Sequence, residues 1–239
     1  DSAYETAISL IQKGIKVEAI IDNREQLDSK LIYDVEKNNI KIFKGYTIVN
    51  TSGYKRINRV SIMKLSIDGQ NVVGSKTNLH CDCLGISGGW TPAVHLFTQS
   101  GGKLKFREDD QLFIPDTYPS DQISVGACNG DLLLDEIVKN VPKSLKKFLN
   151  VKNDDYDNLT VFSSNNKSKR SIWLLPSDKI IGKTKSFVDY QNDATAKDIK
   201  LALREGFRSI EHVKRYTTTG MGTDQGKLGN MHALGIISE

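Results

Sequence analysis

The residues with the strongest chemical character lie near the C-terminal end of the chain. Residues 213–227 read VKRYTTTGMGTDQGK, in which two adjacent cations precede three threonines and a glycine-rich loop that closes on Lys227. A glycine-rich loop that leads into a helix exposes unpaired main-chain N–H groups beside the positive end of the helix dipole, and hydroxyl and cationic side chains complete a site for an anion. We therefore expect this loop to bind a phosphate group.

The loop differs from the known phosphate-binding motifs. It does not end in the Gly-Lys-Ser/Thr sequence of a Walker loop, and no strand precedes it as in a dinucleotide-binding loop. Glycine also allows a chain to turn sharply between two helices. A structural role for the glycines therefore stays open beside the phosphate site.

Two turns of small residues in the first half of the chain form a second group of candidates. The sequence SGG, residues 87–89, ends an apolar stretch, and Pro92 lies near the start of a predicted helix. The sequence GACNG, residues 126–130, follows a short strand predicted over residues 123–125 and precedes another predicted helix. Glycine at a strand-to-helix turn lets the backbone approach a ligand closely, so both turns are candidates for ligand binding.

Asp22 is a candidate because of its place in a predicted β-α-β unit. A helix capped by Asp1 or Ser2 is followed by Gly14 and by a β-branched strand, residues 15–21, that ends at Asp22. Dinucleotide-binding folds place the carboxylate that binds ribose hydroxyls at such a strand end; an acid that only ends the strand is the alternative. Because the first residues already read as a helix, we expect the chain to enter its fold partway through a domain.

The cysteines and histidines do not form a ligand or catalytic pattern. Cys81 and Cys83 would leave a tetrahedral metal site half built, and a role as core cysteines is the alternative that we favour. The four histidines lack the spacing of a metal-binding pair, and no Ser-His-Asp arrangement is present. We predict neither a metal site nor a catalytic residue.

Composition bounds the class of protein. The chain has 239 residues, 38% of them hydrophobic and 26% charged, which is typical of a globular protein. The net charge of +4 is too small to indicate a nucleic-acid partner. Three cysteines without a repeated spacing favour the cytoplasm, and no apolar run approaches the ~20 residues of a membrane helix.

The predicted elements give an α/β protein with a helical end. A helix is predicted over residues 25–38, a strand over residues 40–49, and two or three strands over residues 57–84, with a tight turn at DGQN, residues 68–71. Residues 139–185 lack hydrophobic periodicity and are predicted to form a linker or surface excursion.

Three short helices are predicted after this linker. Thr195 and Asp198 form a capping box at the start of the first, and Gly206 ends it before Ser209 caps the second. Thr223 is expected to cap a third helix, whose core-facing residues would be Leu228, Met231 and Leu234.

Three stretches resemble the alpha-subunit family of heterotetrameric sarcosine oxidases. They are CDCLGISGGWTPAVHLFTQSGGKL, GACNG and SFVDYQNDATAKDIKLALREGFRSIEHVKRYTTTGMGTDQGK. The resemblance implies a partial FAD/NAD(P)-binding, Rossmann-like fold of the two-dinucleotide-domain type, followed by a small helical domain. It divides the chain into a dinucleotide-binding region of the pyridine nucleotide-disulfide oxidoreductase type (1–150), a linker (151–185) and a helical segment that faces FMN (186–239).

The same resemblance implies an activity for the intact complex. Such complexes oxidise sarcosine to glycine with oxygen, release hydrogen peroxide and form 5,10-methylenetetrahydrofolate. The alpha subunit holds NAD, the beta subunit holds FAD, FMN lies between alpha and beta, and the delta subunit of the alpha, beta, gamma and delta assembly carries zinc. This chain would be a fragment, inactive alone, without the first dinucleotide loop and the C-terminal folate-binding domain.

The resemblance also implies site residues. Two turns would close over the dinucleotide; they comprise Ser87, Gly88, Gly89, Pro92, Gly126, Cys128, Asn129 and Gly130. Asp22 would either bind the nucleotide or be a remnant of a dinucleotide site that no longer binds. The segment that would face FMN comprises Thr218, Thr219, Gly220, Met221, Gly222, Gln225, Gly226 and Lys227. Lys227 or Arg215 would be the counter-charge of the FMN phosphate, and Met221 would contact the flavin ring or fill a gap between helices.

Two other functions stay open. The chain could be an alpha subunit of another flavin-linked amine or opine dehydrogenase; such relatives carry iron–sulfur cysteines near this loop, whereas residues 215–232 contain none. It could also be an assembly module whose glycine loop packs against a partner without a flavin.

Overall fold

A computed structural model of the chain describes residues 2–27, 29–119, 121–150, 172–179 and 184–238. The chain divides into two compact units. The first consists of Asp1–Ala3, Leu27–Tyr33 and Ile86–Ser171, and the second of Tyr4–Gln26, Asp34–Gly85 and Ile172–Glu239.

The chain begins with a helix and a strand, as predicted for the second half of a β-α-β unit. The elements in this part of the chain are α1 (Ser2–Gln12), β1 (Ala19–Asp22), α2 (Ser29–Lys37) and β2 (Lys41–Lys44). Both strands belong to the second unit, whereas α1 up to Ala3 and α2 up to Tyr33 belong to the first. Strands β1 and β2 are parallel, with Ala19 opposite Lys41 and Asp22 opposite Lys44. The strand predicted over residues 15–21 therefore ends as expected but starts later, and Ile15 is largely exposed before it.

An antiparallel sheet follows in the same unit. It consists of β3 (Tyr46–Gly53), β4 (Ile57–Leu65) and β5 (Val72–His80), with β4 in the middle. The strand predicted over residues 40–49 is therefore two strands in two sheets, because Gly45 has a left-handed backbone (φ +68°) and turns the chain between them. The strand pair predicted around residues 68–71 is confirmed as the β4–β5 pair.

The first unit contains the helices and the hairpin between residues 95 and 149. Its elements are α3 (His95–Gln99), β6 (Lys103–Arg107), β7 (Leu112–Thr117), a 3-10 turn (Gly126–Asn129) and α4 (Leu134–Leu149). The β6–β7 hairpin is antiparallel and was not predicted from the sequence. The strand predicted over residues 123–125 does not form; this stretch is irregular and has no strand partner among the described residues.

Helix α4 corrects the predicted start of the linker. It continues through Pro142 to Leu149, so residues 139–149 are helical. Val141, Leu145 and Phe148 continue the apolar spacing of Ile137 and Val138 through this stretch, so the helix has a hydrophobic periodicity that the prediction of a linker overlooked. Most of the remaining linker stretch, residues 151–171 and 180–183, lies outside the described residues.

A small helical domain ends the second unit, after the strands β8 (Phe187–Asp189) and β9 (Ala194–Thr195). Its helices are α5 (Ala196–Arg204), α6 (Ile210–Thr217) and α7 (Asn230–Ser238). Their core consists of small and branched side chains: Ala196, Ile199, Ala202, Val213, Ala233 and Ile236. Trp173 and Leu174 pack against this core, so residues 172–179, predicted to be linker, contribute to it.

The helical domain confirms two of the three predicted helices and corrects the third. The main-chain N–H of Thr195 donates to Asp198 Oδ2 at 2.8 Å, as expected for a capping box, and Ser209 precedes α6. Helix α7 begins at Asn230 and not after Thr223, because Gln225 and Gly226 have left-handed backbones that no α-helix accommodates. Leu228, expected in the core, is 72% exposed.

Candidate functional site

The loop between α6 and α7 folds around the side chain of Asn230. Gly220 and Gly226 both have left-handed backbones, with φ of +72° and +76°. A Cβ atom added at either glycine would overlap the Asn230 amide group. The glycines that the sequence assigned to a ligand therefore have a packing role, because they let two parts of the loop close on one side chain.

The last residue of β8 and the turn that follows it also bind this loop. The main-chain N–H of Gly220 donates to Asp189 Oδ2 at 2.7 Å. The main-chain N–H and the hydroxyl of Thr223 both donate to Gln191 Oε1, at 2.6 and 2.9 Å. The side chain of Asn192 donates to the carbonyl oxygen of Thr218 at 3.1 Å.

Most of the other polar groups of the loop are also bonded internally. The N–H groups of Gly226 and Leu228 donate to the Asp224 carboxylate, and those of Gln225 and Lys227 donate to carbonyl oxygens within the loop. Thr219 is 1% exposed, and its hydroxyl lies 2.7 Å from that of Thr217. The expectation that this loop presents a row of bare amides to an anion is therefore wrong.

A pocket remains beside the loop, and its positive charge comes from α6. Its volume is about 360 Å³, and its lining residues are Glu211, Lys214, Arg215, Gly220, Met221 and Gln225. Lys214 and Arg215 have no ion pair within the part of the chain that the structure describes. Two cations on one helical turn are suited to bind a phosphate or carboxylate group.

The predicted loop residues divide between this pocket and the interior. Gly220, Met221, Gln225 and Arg215 line the pocket, and Met221 is 46% exposed there. Lys227 is exposed and is not among the lining residues. Thr218 and Gly222 contact the turn after β8. The carbonyl oxygen of Thr218 accepts the Asn192 side chain, and a Cβ atom at Gly222 would overlap the Gln191 side chain.

Asp189 and Gln191 were not predicted from the sequence, although both lie in the stretch that resembles the sarcosine oxidase family. Asp189 is 6% exposed and accepts four N–H groups, from Gln191, Asn192 (main chain and side chain) and Gly220. Burial acts to raise the pKa of this carboxyl group, but the donated hydrogen bonds outweigh burial and hold its pKa below the ordinary value. A signal in the sequence was an acid directly after the apolar pair Phe187-Val188, followed by turn-forming residues.

The turn at residues 126–130, in the first unit, is closely packed. Asn129 Oδ1 accepts the Tyr118 hydroxyl at 3.0 Å, and Cys128 Sγ donates to the Val125 carbonyl at 3.0 Å. A Cβ atom at Gly130 would lie 2.6 Å from the side chain of Ile114. Gly126 is buried, so the small residues of this turn serve packing contacts.

The turn at residues 87–89, also in the first unit, is open. No described heavy atom lies within 4 Å of a Cβ atom added at Gly88 or Gly89. The Ser87 hydroxyl lies 2.9 Å from that of Ser2, and Pro92 is buried ahead of α3. Residues 81–94 are irregular, so the strand predicted to end at residue 87 ends at His80 instead.

Asp22 lies in the second unit, and its carboxylate already has protein partners. Arg24 forms an ion pair with it at 2.8 Å, and the Tyr4 hydroxyl donates to it at 3.0 Å. Burial acts to raise the pKa of Asp22, but the hydrogen bonds and charge of Arg24 lower it below the ordinary value. The strand end thus has the predicted acid, whose oxygens are occupied by the chain's own donors.

No group of three or more metal-ligating side chains is found among the residues that the structure describes. Nor does any described helix have the length and hydropathy needed to cross a membrane.

Comparison with known proteins connects this site with a family. Residues 183–239, which contain the helical domain and its pocket, match the family model of the sarcosine oxidase A3 domain. The whole chain is 28% identical to the sarcosine oxidase subunit alpha of Rhizobium meliloti (strain 1021) and 28% identical to that of Corynebacterium sp. (strain U-96). The resemblance to sarcosine oxidase alpha subunits is confirmed. The chain covers 23% and 25% of the two relatives, about a quarter of their length.

A solved structure supports the fold. The chain superposes on the crystal structure of L-proline dehydrogenase from P. horikoshii with a TM-score of 0.53 and 17% sequence identity, covering 97% of this chain and 47% of that one. The predicted fold class, a partial α/β dinucleotide-binding type followed by a small helical domain, is confirmed. The pocket beside α6 lies inside the segment, residues 183–239, that matches the A3 domain.

Proposed function

We propose that the chain is part of the alpha subunit of a flavin-dependent sarcosine oxidase and that the pocket beside α6 binds the phosphate of FMN at the boundary with the beta subunit. The observation that carries the proposal is that Lys214 and Arg215, without ion-pair partners among the described residues, line a pocket in the segment that matches the sarcosine oxidase A3 domain. A phosphate dianion is a suitable ligand for two such cations.

The donor set fits the phosphate in part. Lys214 and Arg215 supply positive charge, and the Gln225 side chain, which already donates to the Gly222 carbonyl oxygen at 2.9 Å, lies at the same pocket. The loop amides are used internally and are not part of the proposed contacts. Of the two counter-charges expected from the sequence, the proposal keeps Arg215 and leaves out Lys227, and it adds Lys214.

The chain's own residues would bind and orient the cofactor without supplying an acid, a base or a nucleophile. Bound flavin supplies the capacity to accept and pass on electrons. Because the phosphate and the flavin ring belong to one molecule, cations that bind the phosphate also limit the position of the ring. Met221 lies at the same pocket and would offer the ring an apolar, polarisable side chain.

The wider function is proposed from the relatives. The complete complex would be an oxidoreductase of CH–NH donors that oxidises sarcosine to glycine with oxygen and yields hydrogen peroxide and 5,10-methylenetetrahydrofolate. It would contain beta, gamma and delta subunits, with FAD in beta and zinc in delta, and would act in the cytoplasm, where its free cysteines stay reduced. We propose NAD for the first unit, where the open turn at residues 87–89 offers backbone to a ligand.

The phosphate site is tested by neutralising its cations in the assembled enzyme. We expect Lys214→Gln and Arg215→Gln each to weaken FMN binding about tenfold, because each removes a charge-assisted hydrogen bond to phosphate. Flavin fluorescence during titration and the flavin absorbance retained after gel filtration provide the measurement. Lys227→Gln is the matched control, since Lys227 does not line the pocket, and we expect it to bind FMN as the unaltered enzyme does.

Unchanged FMN affinity in the Lys214→Gln/Arg215→Gln double variant would exclude the pocket as the phosphate site. It would favour the alternative that the chain is an assembly module. A loss of subunit association in the same double variant would support that alternative.

A further inference from the structure

Asp189 is a buried carboxylate that is satisfied entirely by N–H groups. Its Oδ1 accepts the main-chain N–H groups of Gln191 and Asn192 at 2.9 and 3.0 Å, and its Oδ2 accepts the Gly220 N–H at 2.7 Å and the Asn192 side chain at 3.3 Å. No lysine or arginine pairs with it among the described residues. A buried charge is costly unless it is fully hydrogen-bonded, and here every donor comes from its own turn or from the pocket loop.

The bond to Gly220 links this carboxylate directly to the wall of the pocket. Gly220 and the adjacent Met221 both line it. Asp189 and Gly220 are 31 positions apart in the sequence, so the contact between them is tertiary and not a local turn. Hydrogen bonds to an ionised acceptor are about twice as strong as those between neutral groups, so Asp189 holds this part of the wall more firmly than a neutral side chain would.

We propose that Asp189 is a positioning residue for the phosphate pocket, which it shapes by holding Gly220 and, through it, Met221 at the wall. The inference rests on the proposed function, because the ligand whose affinity reports on the wall is FMN. It goes beyond that function in assigning a role to a residue that does not itself touch the pocket.

The test compares Asp189 with a second carboxylate of the same helical domain. In the assembled enzyme we expect Asp189→Ala to weaken FMN binding about tenfold, measured by flavin fluorescence. Hydrogen exchange of the segment around Gly220 should rise at the same time, because its N–H loses its acceptor. Asp198→Ala is the control: it removes the bonds that Asp198 accepts from Thr195 and lowers stability, but does not touch the loop, so FMN affinity should stay within about twofold.

Two milder variants keep the test decisive if Asp189→Ala does not fold. Asp189→Asn retains one carbonyl oxygen for Gly220, and its FMN affinity should lie between those of Asp189→Ala and the unaltered enzyme. Asn192→Ala removes the bonds from its side chain to Asp189 and to the Thr218 carbonyl oxygen and should weaken FMN binding about threefold.

The outcomes separate this inference from the proposed function. If neutralising Lys214 and Arg215 weakens FMN binding but the Asp189 and Asn192 variants bind FMN normally while exchange at Gly220 rises, Asp189 has only a structural role and the inference is overturned. If neutralising the cations has no effect, the phosphate site itself fails. Equal losses of FMN affinity in Asp189→Ala and Asp198→Ala would attribute both to general instability and would also overturn the inference.

Discussion

The side chain of Asn230 lies between Gly220 and Gly226, and this contact explains the glycines of the loop more directly than ligand binding does. Both glycines adopt left-handed backbones, and neither has room for a Cβ atom beside Asn230. The same loop commits its threonine hydroxyls to internal partners. At the scale of single residues, the polar groups of this loop therefore mainly form hydrogen bonds that stabilise its own conformation.

Gly220→Ala is predicted to lower the free energy of unfolding by about 2–4 kcal/mol. The left-handed backbone accounts for about 1–2 kcal/mol of this loss, and the overlap with Asn230 Oδ1 adds to it. Gly206→Ala is the matched control, because Gly206 is also left-handed (φ +96°) but has nothing within 4 Å of an added Cβ atom. Urea unfolding of both variants measures the difference; equal losses would show that the contact with Asn230 contributes nothing.

At the scale of elements, the helix boundaries are set partly by capping residues and partly by the conformation of the neighbouring loops. Helix α5 begins at its capping box, where Asp198 accepts both the main-chain N–H and the hydroxyl of Thr195. Helix α7 has no such signal and begins where the left-handed residues of the preceding loop end. Strands β2 and β3 are separated by one glycine and pair in different sheets.

The capping box makes a quantitative prediction for α5. Thr195→Ala and Asp198→Ala should each lower the free energy of unfolding by about 1 kcal/mol, since each leaves groups at the first turn without a partner. The double variant should lose less than the sum, by about 0.5 kcal/mol, because both single changes break the same bond between the Thr195 hydroxyl and Asp198. A double-mutant cycle by thermal or urea unfolding measures this coupling; strict additivity would mean that the two side chains do not act together.

The helical domain depends, at the scale of the whole molecule, on residues far from it in the sequence. Trp173 packs on its core and lies edge-to-face with His232, with 6.0 Å between the ring centroids. Its indole ring also covers the backbone at Gly235, where an added Cβ atom would overlap the ring. Asp178, in the same short segment, pairs with Lys76 of β5 at 2.6 Å. Residues 172–179 therefore connect the helices of the second unit with its antiparallel sheet.

Trp173→Ala is predicted to lower the free energy of unfolding by about 2–4 kcal/mol, because it removes a large ring from a packed interface. Trp90 offers a control of the same type: it is 75% exposed, and Trp90→Ala should cost less than about 0.5 kcal/mol. Circular dichroism during urea unfolding measures both. A Trp173→Ala variant as stable as Trp90→Ala would contradict the assigned packing of residues 172–179.

The sequence by itself determined the features that depend on neighbours a few positions apart. These are the helix and strand that end at Asp22, the β4–β5 hairpin, the capping box at Thr195, the first two helices of the helical domain and the resemblance to sarcosine oxidase alpha subunits. Periodicity, caps and tight turns act within one or two helical turns, so the residue types alone reveal them. Of the two cations that line the pocket, the sequence analysis named Arg215 but not Lys214.

Only the tertiary structure decided what the glycine-rich loop does with its polar groups. The acceptor of the Gly220 N–H is 31 positions away, and the acceptor of the Thr223 N–H is 32 positions away. The local sequence is the same whether a main-chain N–H is free or hydrogen-bonded, because the acceptor comes from another part of the chain. For that reason the sequence predicted an anion site in the loop, whereas in the fold the loop amides of Gly220 and Thr223 donate to Asp189 and Gln191, and Lys214 and Arg215 line the pocket.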